Sequence, residues 1–196
     1  RYSIIQDKRD QSFKPTEGYR ASFNQKLPLY SESPSLVNGI DYSAYHSFSD
    51  NLIGSLRFHG RAINSLSSSE DVKLSERLSI PGRYLRGFEV GKIGPVDASD
   101  YIGGNYVTAL GFNAALPKLL PNLTNADVSL FLDTGNVWGI DYDTNIDESN
   151  KLRSAFGVSV DWFTPIGPLS FSFSEAITSA STDKPESFRF NIGTTF

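Results

Sequence analysis

Apolar and polar residues alternate along most of this chain with a period of two, the spacing of a β-strand whose faces meet different surroundings. Tyr19, Ala21, Phe23 and Leu27 share one face and Arg20, Ser22, Asn24 and Lys26 the other; Ile40, Tyr42 and Ala44 alternate with Asp41, Ser43 and Tyr45. Leu56 and Phe58 oppose Ser55, Arg57, His59 and Arg61, and Tyr106, Thr108, Leu110 and Phe112 oppose Asn105, Val107, Ala109 and Gly111. Val128, Leu130 and Leu132 face away from Ser129, Phe131 and Asp133, and Phe156, Val158, Val160 and Trp162 from Gly157, Ser159 and Asp161. Leu169, Phe171 and Phe173 alternate with Ser170, Ser172 and Ser174, a face too small and polar for a protein core. The last run, 186–196, sets Phe188, Phe190, Ile192 and Phe196 against Ser187, Arg189, Asn191 and Gly193. With the opening run 2–7, these segments predict nine strands.

The connections distinguish a membrane barrel from a soluble sandwich. Outer-membrane barrels have short periplasmic turns and longer outer loops. If Phe196 ends at the periplasm, TPIG, LPKLLPNL, SFSDN and FKPTEG fall inside, while ITSASTDKPE, GIDYDTNIDESN and the 64–102 segment fall outside; SESPS alone is a short outer loop. Trp138 sits where an interfacial aromatic belongs. No apolar run approaches the roughly 20 residues of a membrane helix, and the first residues lack the apolar centre of a signal peptide. Strands cross with only about 9 to 11 residues each, so a modest average hydropathy is compatible with a barrel. Single-chain bacterial barrels have even strand numbers, so nine strands predict part of a larger barrel.

Between residues 64 and 102 the alternation stops, and no amphipathic helix replaces it. Loops of this length are usually functional or disordered. Within it, RYLRGFEVGKIGP (83–95) joins a fixed charge, Arg86, to a permissive residue, Gly87, and a large apolar ring, Phe88. Glycine accepts positive φ and close approach, and arginine offers a planar fork of donors to a carboxylate. On the tripeptide alone, an ordinary exposed turn with a solvated arginine is an equal reading.

Composition narrows the function classes. The net charge of −4 provides no broad basic footprint for nucleic acid, and the absence of cysteine removes disulfides, thiolate metal sites and cysteine nucleophiles. His46 and His59 lie on different runs without ligands at metal spacing, and the serines lack a matching histidine and acid. No glycine-rich phosphate loop opens a helix. The sequence therefore predicts neither an enzyme nor a bound cofactor or metal.

SERLSIPGRYLRGF, the later GGN (103–105), DTGNVW, GPLSFSFSEA and the terminal FRFNIGTTF, with PTEG before the second strand, resemble in order the BamA family of outer-membrane barrel assembly insertases. GPLSFS followed by FRFNIG is closer to that family than to TamA or the two-partner-secretion transporters. The resemblance covers essentially the whole chain. It implies an all-β, antiparallel transmembrane barrel in the outer membrane of a Gram-negative bacterium. This chain would supply the C-terminal nine or so of sixteen strands, with 64–102 a long extracellular loop folding into the lumen. Earlier strands and periplasmic POTRA domains would lie upstream.

For the loop, the resemblance implies that Arg86 meets Asp133 on the lumen wall. Two departures matter: Ile80, Pro81 and Gly82 stand where the family often carries Gly-Gly, and Gly111 stands at the family's second acid. A simple Arg86–Asp133 pair is therefore expected in place of a bidentate, three-membered arrangement. Such a contact serves a static plug and a moving part of an insertion cycle equally well. The implied partners are unfolded outer-membrane clients, outer-membrane lipid, and accessory lipoproteins bound through the periplasmic domains. Clients would enter at a lateral seam beside the last strand, which carries Phe188, Phe190, Ile192, Gly193 and a terminal assembly signal at Phe196. The alternative is a secretion pore of the same superfamily, distinguishable by the type and number of upstream domains.

Overall fold

The computed structural model describes residues 1–28, 34–120, 125–143, 145–146, 150–165 and 167–192. Its strands are β1 (Tyr2–Asp7), β2 (Gly18–Lys26), β3 (Ser35–Ser49), β4 (Leu52–Ser65), β5 (Val96–Asp97), β6 (Asp100–Tyr101), β7 (Tyr106–Leu116), β8 (Ala126–Trp138), β9 (Arg153–Thr164), β10 (Gly167–Thr178) and β11 (Phe188–Ile192). Nine form one antiparallel sheet in the order β1-β2-β3-β4-β7-β8-β9-β10-β11, while β5 and β6 form a separate hairpin. Every neighbour in the large sheet is also the next large strand in sequence, the meander of an up-and-down barrel.

Alternation sets the two faces. On the outer face Ile40, Phe112, Leu130, Leu132, Phe156, Val158, Trp162, Phe173, Phe188, Phe190 and Ile192 remain exposed. Side chains of opposite parity point inward, where Ser22, His59, Ser129, Asp133, Arg153, Ser159 and Ser172 are buried. Apolar outside and polar inside inverts the arrangement of a water-soluble domain; it is the arrangement that lipid requires of a barrel wall.

Strands β3 and β4 exceed their expected alternating cores. They pair from Ser35↔Ser65 to Ser49↔Leu52, leaving Asp50 and Asn51 as the reversal, so most of SFSDN is strand and not turn. A register shift between Ser47 and Ser49 marks where the pattern is interrupted, because a bulge changes side-chain parity locally. Near the other end of the sequence, β11 begins at Phe188, two residues later than the 186–196 run, whose residues 193–196 lie outside the described residues. The sheet also curls: the β1–β2 turn reaches β8 and β9, with Lys14 paired to Asp127 and the Phe13 and Phe163 rings edge-on at 4.9 Å.

The segment between β4 and β7 lies against the inner face. A 3-10 turn at Leu74–Glu76, a bridge from Leu78 to Gly104 and the β5–β6 hairpin give it internal order. These short features follow no period of 2 or 3.6, which is why hydropathy alone reads the segment as irregular.

The face assignment has a direct test in β11, where Phe190 is exposed outward and Asn191 is partly buried inward. In the full-length protein in lipid, Phe190→Arg is expected to destabilise the fold by about 2 to 4 kcal/mol, with a much milder effect for Asn191→Arg. Denaturant unfolding of both variants checks this; equal losses would refute the orientation of β11.

Candidate functional site

The 80–93 segment is held first by apolar contact. Ile80, Leu85, Phe88 and Ile93 pack with Val107 and Ala109 of β7, Val137 of β8 and Ala155 of β9 in one buried cluster. Phe88 is only 2% exposed. This small core forms on the otherwise polar inner face because the wall offers small or β-branched side chains there. Gly87 completes the fit: its φ is +88°, and a Cβ would lie 2.4 Å from the Ala155 Cβ. Both the backbone conformation and the approach therefore call for glycine.

Above this cluster, the backbone of the loop bonds to the connection between β10 and β11. Glu89 N–H donates to the Lys184 carbonyl at 2.9 Å, Lys184 N–H to the Lys92 carbonyl at 3.1 Å, and Glu186 N–H to the Gly87 carbonyl at 3.0 Å. Phe88 bridges Pro185, and Ser174 Oγ donates to the Glu186 carbonyl at 3.0 Å. These bonds satisfy backbone groups that burial removes from water.

Arg86 then fixes the turn to the wall. Its Nε donates to Asp133 Oδ2 at 2.7 Å, its Nη2 to Oδ1 at 2.8 Å, and its backbone N–H to Oδ2 at 3.1 Å. Nη2 also donates to Asn113 Oδ1 at 2.8 Å, and Nη1 lies 3.5 Å from Ser159 Oγ. The guanidinium carbon stands 3.5 Å from the centroid of the Phe131 ring, a cation–π contact at the base of the site. Asp133 is fully buried.

This geometry corrects the expectation of a simple pair. The contact is bidentate through Asp133 alone, and Asn113 is a third, neutral member. Gly111 lies directly opposite Asp133 in register, and a Cβ there would approach Asp133 Oδ1 to 2.9 Å. The second polar partner instead comes from two residues further along β7, on the same inward parity.

Other polar groups meet in pairs that the alternation does not link. Asp41 accepts from Arg61 Nη2 at 2.7 Å and Tyr84 Oη at 3.2 Å, and lies 2.7 Å from His59 Nδ1; His59 stacks on Tyr84 with centroids 4.2 Å apart. Arg153 and Asp183 form a fully buried bidentate pair, both bonds 2.9 Å. Arg189 donates from β11 to the loop itself. Beyond β8, Asp141 accepts Val72 N–H at 2.9 Å and pairs with Arg77. Burial pushes the Asp141 carboxyl upward, but the Val72 N–H and the Asn105 and Arg77 side chains outweigh it and hold the pKa below its ordinary value.

Phe188 and Phe190 stack on Phe173 and Phe171, at centroid distances of 5.0 and 4.9 Å, along the outward face of the terminal hairpin. Ile192 shares that face, whereas Gly193 and Phe196 lie outside the described residues. Among the described residues no cluster of three or more His, Asp or Glu is placed to hold a metal.

Removing Arg86 takes from the buried Asp133 carboxylate the cation that hydrogen-bonds both its oxygens, so Arg86→Ala should cost on the order of 3 to 5 kcal/mol. Arg83, which only overlies Tyr84 at the surface, should cost little when replaced by alanine. Differential denaturant melts of the full-length variants test this, and equal losses would dismiss Arg86 as the anchor. Gly87→Ala should undock the loop although Arg86 and Asp133 remain. Ala155→Gly should restore only part of the loss, because the clash disappears while the positive-φ strain persists; protease sensitivity of the loop reports both effects.

The Omp85 superfamily domain matches residues 1–196. The outer membrane protein assembly factor BamA of Neorickettsia risticii (strain Illinois) is 26% identical over 201 aligned positions, covering 100% of this chain and 27% of that protein. BamA of Neisseria meningitidis serogroup B is 30% identical over 141 positions, covering 57% of this chain and 17% of that protein. The crystal structure of BamA from Haemophilus ducreyi lacking POTRA domains 1–3 superposes with a TM-score of 0.85 at 25% identity, over 96% of this chain and 40% of that one. The chain thus spans less than a third of the length of these two curated relatives. With the domain matched from end to end and the strand order and docked loop in place, the chain belongs to the Omp85 superfamily and forms part of its bacterial outer-membrane β-barrel.

Proposed function

We propose that this chain is the C-terminal barrel segment of an assembly factor that folds and inserts client β-barrels into the outer membrane. The observation that carries the proposal is the RGF turn clamped on the inner wall by Arg86 and Asp133 in a chain similar along its whole length to a BamA protein. The chemistry is non-covalent. A client strand entering lipid must satisfy its backbone N–H and C=O groups, each costing several kcal/mol if left unpaired. A weakly held wall strand supplies those partners by strand addition.

In this reading β11 is the wall strand beside the seam. It meets β10 over five residue pairs, Leu169↔Ile192 to Phe173↔Phe188. Phe188, Phe190 and Ile192 keep it in the bilayer, the sequence follows them with Gly193, a residue type that disfavours strand pairing, and Phe196 belongs to the assembly signal. Arg86, Gly87, Phe88 and Asp133 set the position of the loop relative to that wall. The partners are unfolded outer-membrane proteins, membrane lipid, and accessory lipoproteins held by periplasmic domains of the complete protein.

The complete protein, reconstituted in lipid vesicles, is expected to accelerate folding of an added unfolded client barrel, and Arg86→Ala should slow that acceleration at least about tenfold. Heat-modifiable gel mobility of the client measures the rate. Unchanged client folding with release of an entrapped soluble protein would replace this reading with a secretion pore.

A further inference from the structure

Arg189 lies between Phe188 and Phe190 on β11, and its side chain points to the inner face, only 10% exposed. Its guanidinium reaches three acceptors: Nη1 donates to the Gly82 carbonyl at 2.8 Å, Nη2 to the Phe88 carbonyl, and Nε to Glu186 Oε2 at 2.7 Å. Gly82 and Phe88 bracket the turn containing Arg86 and Gly87. One side chain of the terminal strand therefore closes the base of the same turn that Arg86 fixes to β8. The fit is close: a Cβ on Gly82 would lie 2.6 Å from Nη1.

These contacts join the docked turn to β11. The turn is buried by the cluster around Phe88. On the other side of the contact, β11 meets β10 from Leu169↔Ile192 to Phe173↔Phe188. In the assembly reading β11 borders the seam, and a strand there opens at lower free energy than one within the wall. Arg189 makes the order of the edge depend on the order of the turn, because fraying of β11 would strip donors from two carbonyls of the loop. A planar arginine fork spans two carbonyls while retaining its glutamate; a lysine ammonium, a single point donor, cannot reproduce that geometry.

We propose that Arg189 is a positioning residue that couples docking of the 82–88 turn to the order of the terminal strand, so that release of the turn loosens the strand. The inference deepens the assembly reading and rests on it for β11 being the strand that handles clients. The coupling itself is a property of the barrel without a client.

Hydrogen exchange of the 188–192 amides tests it in the full-length protein in lipid nanodiscs, comparing wild type, Arg86→Ala, Arg189→Gln and the double variant. Each single substitution is expected to accelerate exchange about tenfold, and the double variant no further, because both break one linkage. Independent effects that multiply in the double variant would overturn the proposal, as would no response of β11 to Arg86→Ala. Arg189→Lys should behave like Arg189→Gln; wild-type exchange in that variant would show that charge beside Glu186 suffices and would overturn the bridging role. If Arg189→Gln does not fold, Arg189→Lys carries the same cycle. Client-folding rates on the same preparations separate the two ideas. Impaired client folding with multiplicative exchange removes the coupling and leaves the assembly reading, whereas coupled exchange with unaltered client folding supports the coupling and counts against assembly.

Discussion

A carboxylate with no access to water must be paired, and Asp133 meets that constraint through a residue on a distant loop. Its placement on β8 costs desolvation energy that only a cation with good geometry offsets. Arg86 provides two side-chain hydrogen bonds and one from its backbone N–H, so the position of the turn is specified as well as its charge. Loss of that pairing would leave the buried Asp133 carboxylate without its forked donor, with the Phe88 cluster and the backbone bonds to 184–186 still holding the loop. The electrostatic contact gives register and the apolar contact gives area; neither substitutes for the other.

The remainder of the inner face follows the same economy. Asp41 is shared by Arg61, His59 and Tyr84, the last from the loop, so a second wall carboxylate also has a loop partner. Arg153 and Asp183 join β9 to the β10–β11 connection. Arg57 differs, since its buried Nε has no hydrogen-bond partner among the described residues, although it stands near the Arg86–Asp133 pair. Opposed guanidiniums around one carboxylate make the site cation-rich, which raises the penalty for losing Asp133 above that for losing a neutral partner such as Asn113.

Strand order and face were legible because lipid on one side and a polar interior on the other impose a strict two-residue period. Phe131 shows what that period leaves open: its inward parity was clear, but its service as the platform beneath Arg86 depends on a loop more than forty residues earlier. Asn113 lies one residue past Phe112, where the clear alternation ends, and only the path of the loop brings it to Arg86. Arg189 was visible as a polar-face residue, yet nothing in the spacing linked it to Gly82 and Phe88. Long-range partners across a curled sheet are set by closure and loop path, neither of which is written as a local period.

The β10–β11 connection explains why loop and wall are not independent layers. Residues 184–186 exchange backbone hydrogen bonds with 87–92, while the strand immediately following them pairs with β10. A backbone that left this ladder would strand N–H and C=O groups inside the barrel, and restoring them requires either water or another chain. The loop thus acts as a provisional strand partner beside the terminal hairpin. An interior of this kind resists random opening because several buried polar groups, on the wall and on the loop, must be satisfied together. Polar groups that would weaken a soluble core become, inside a membrane barrel, the means by which a loop is held in one position.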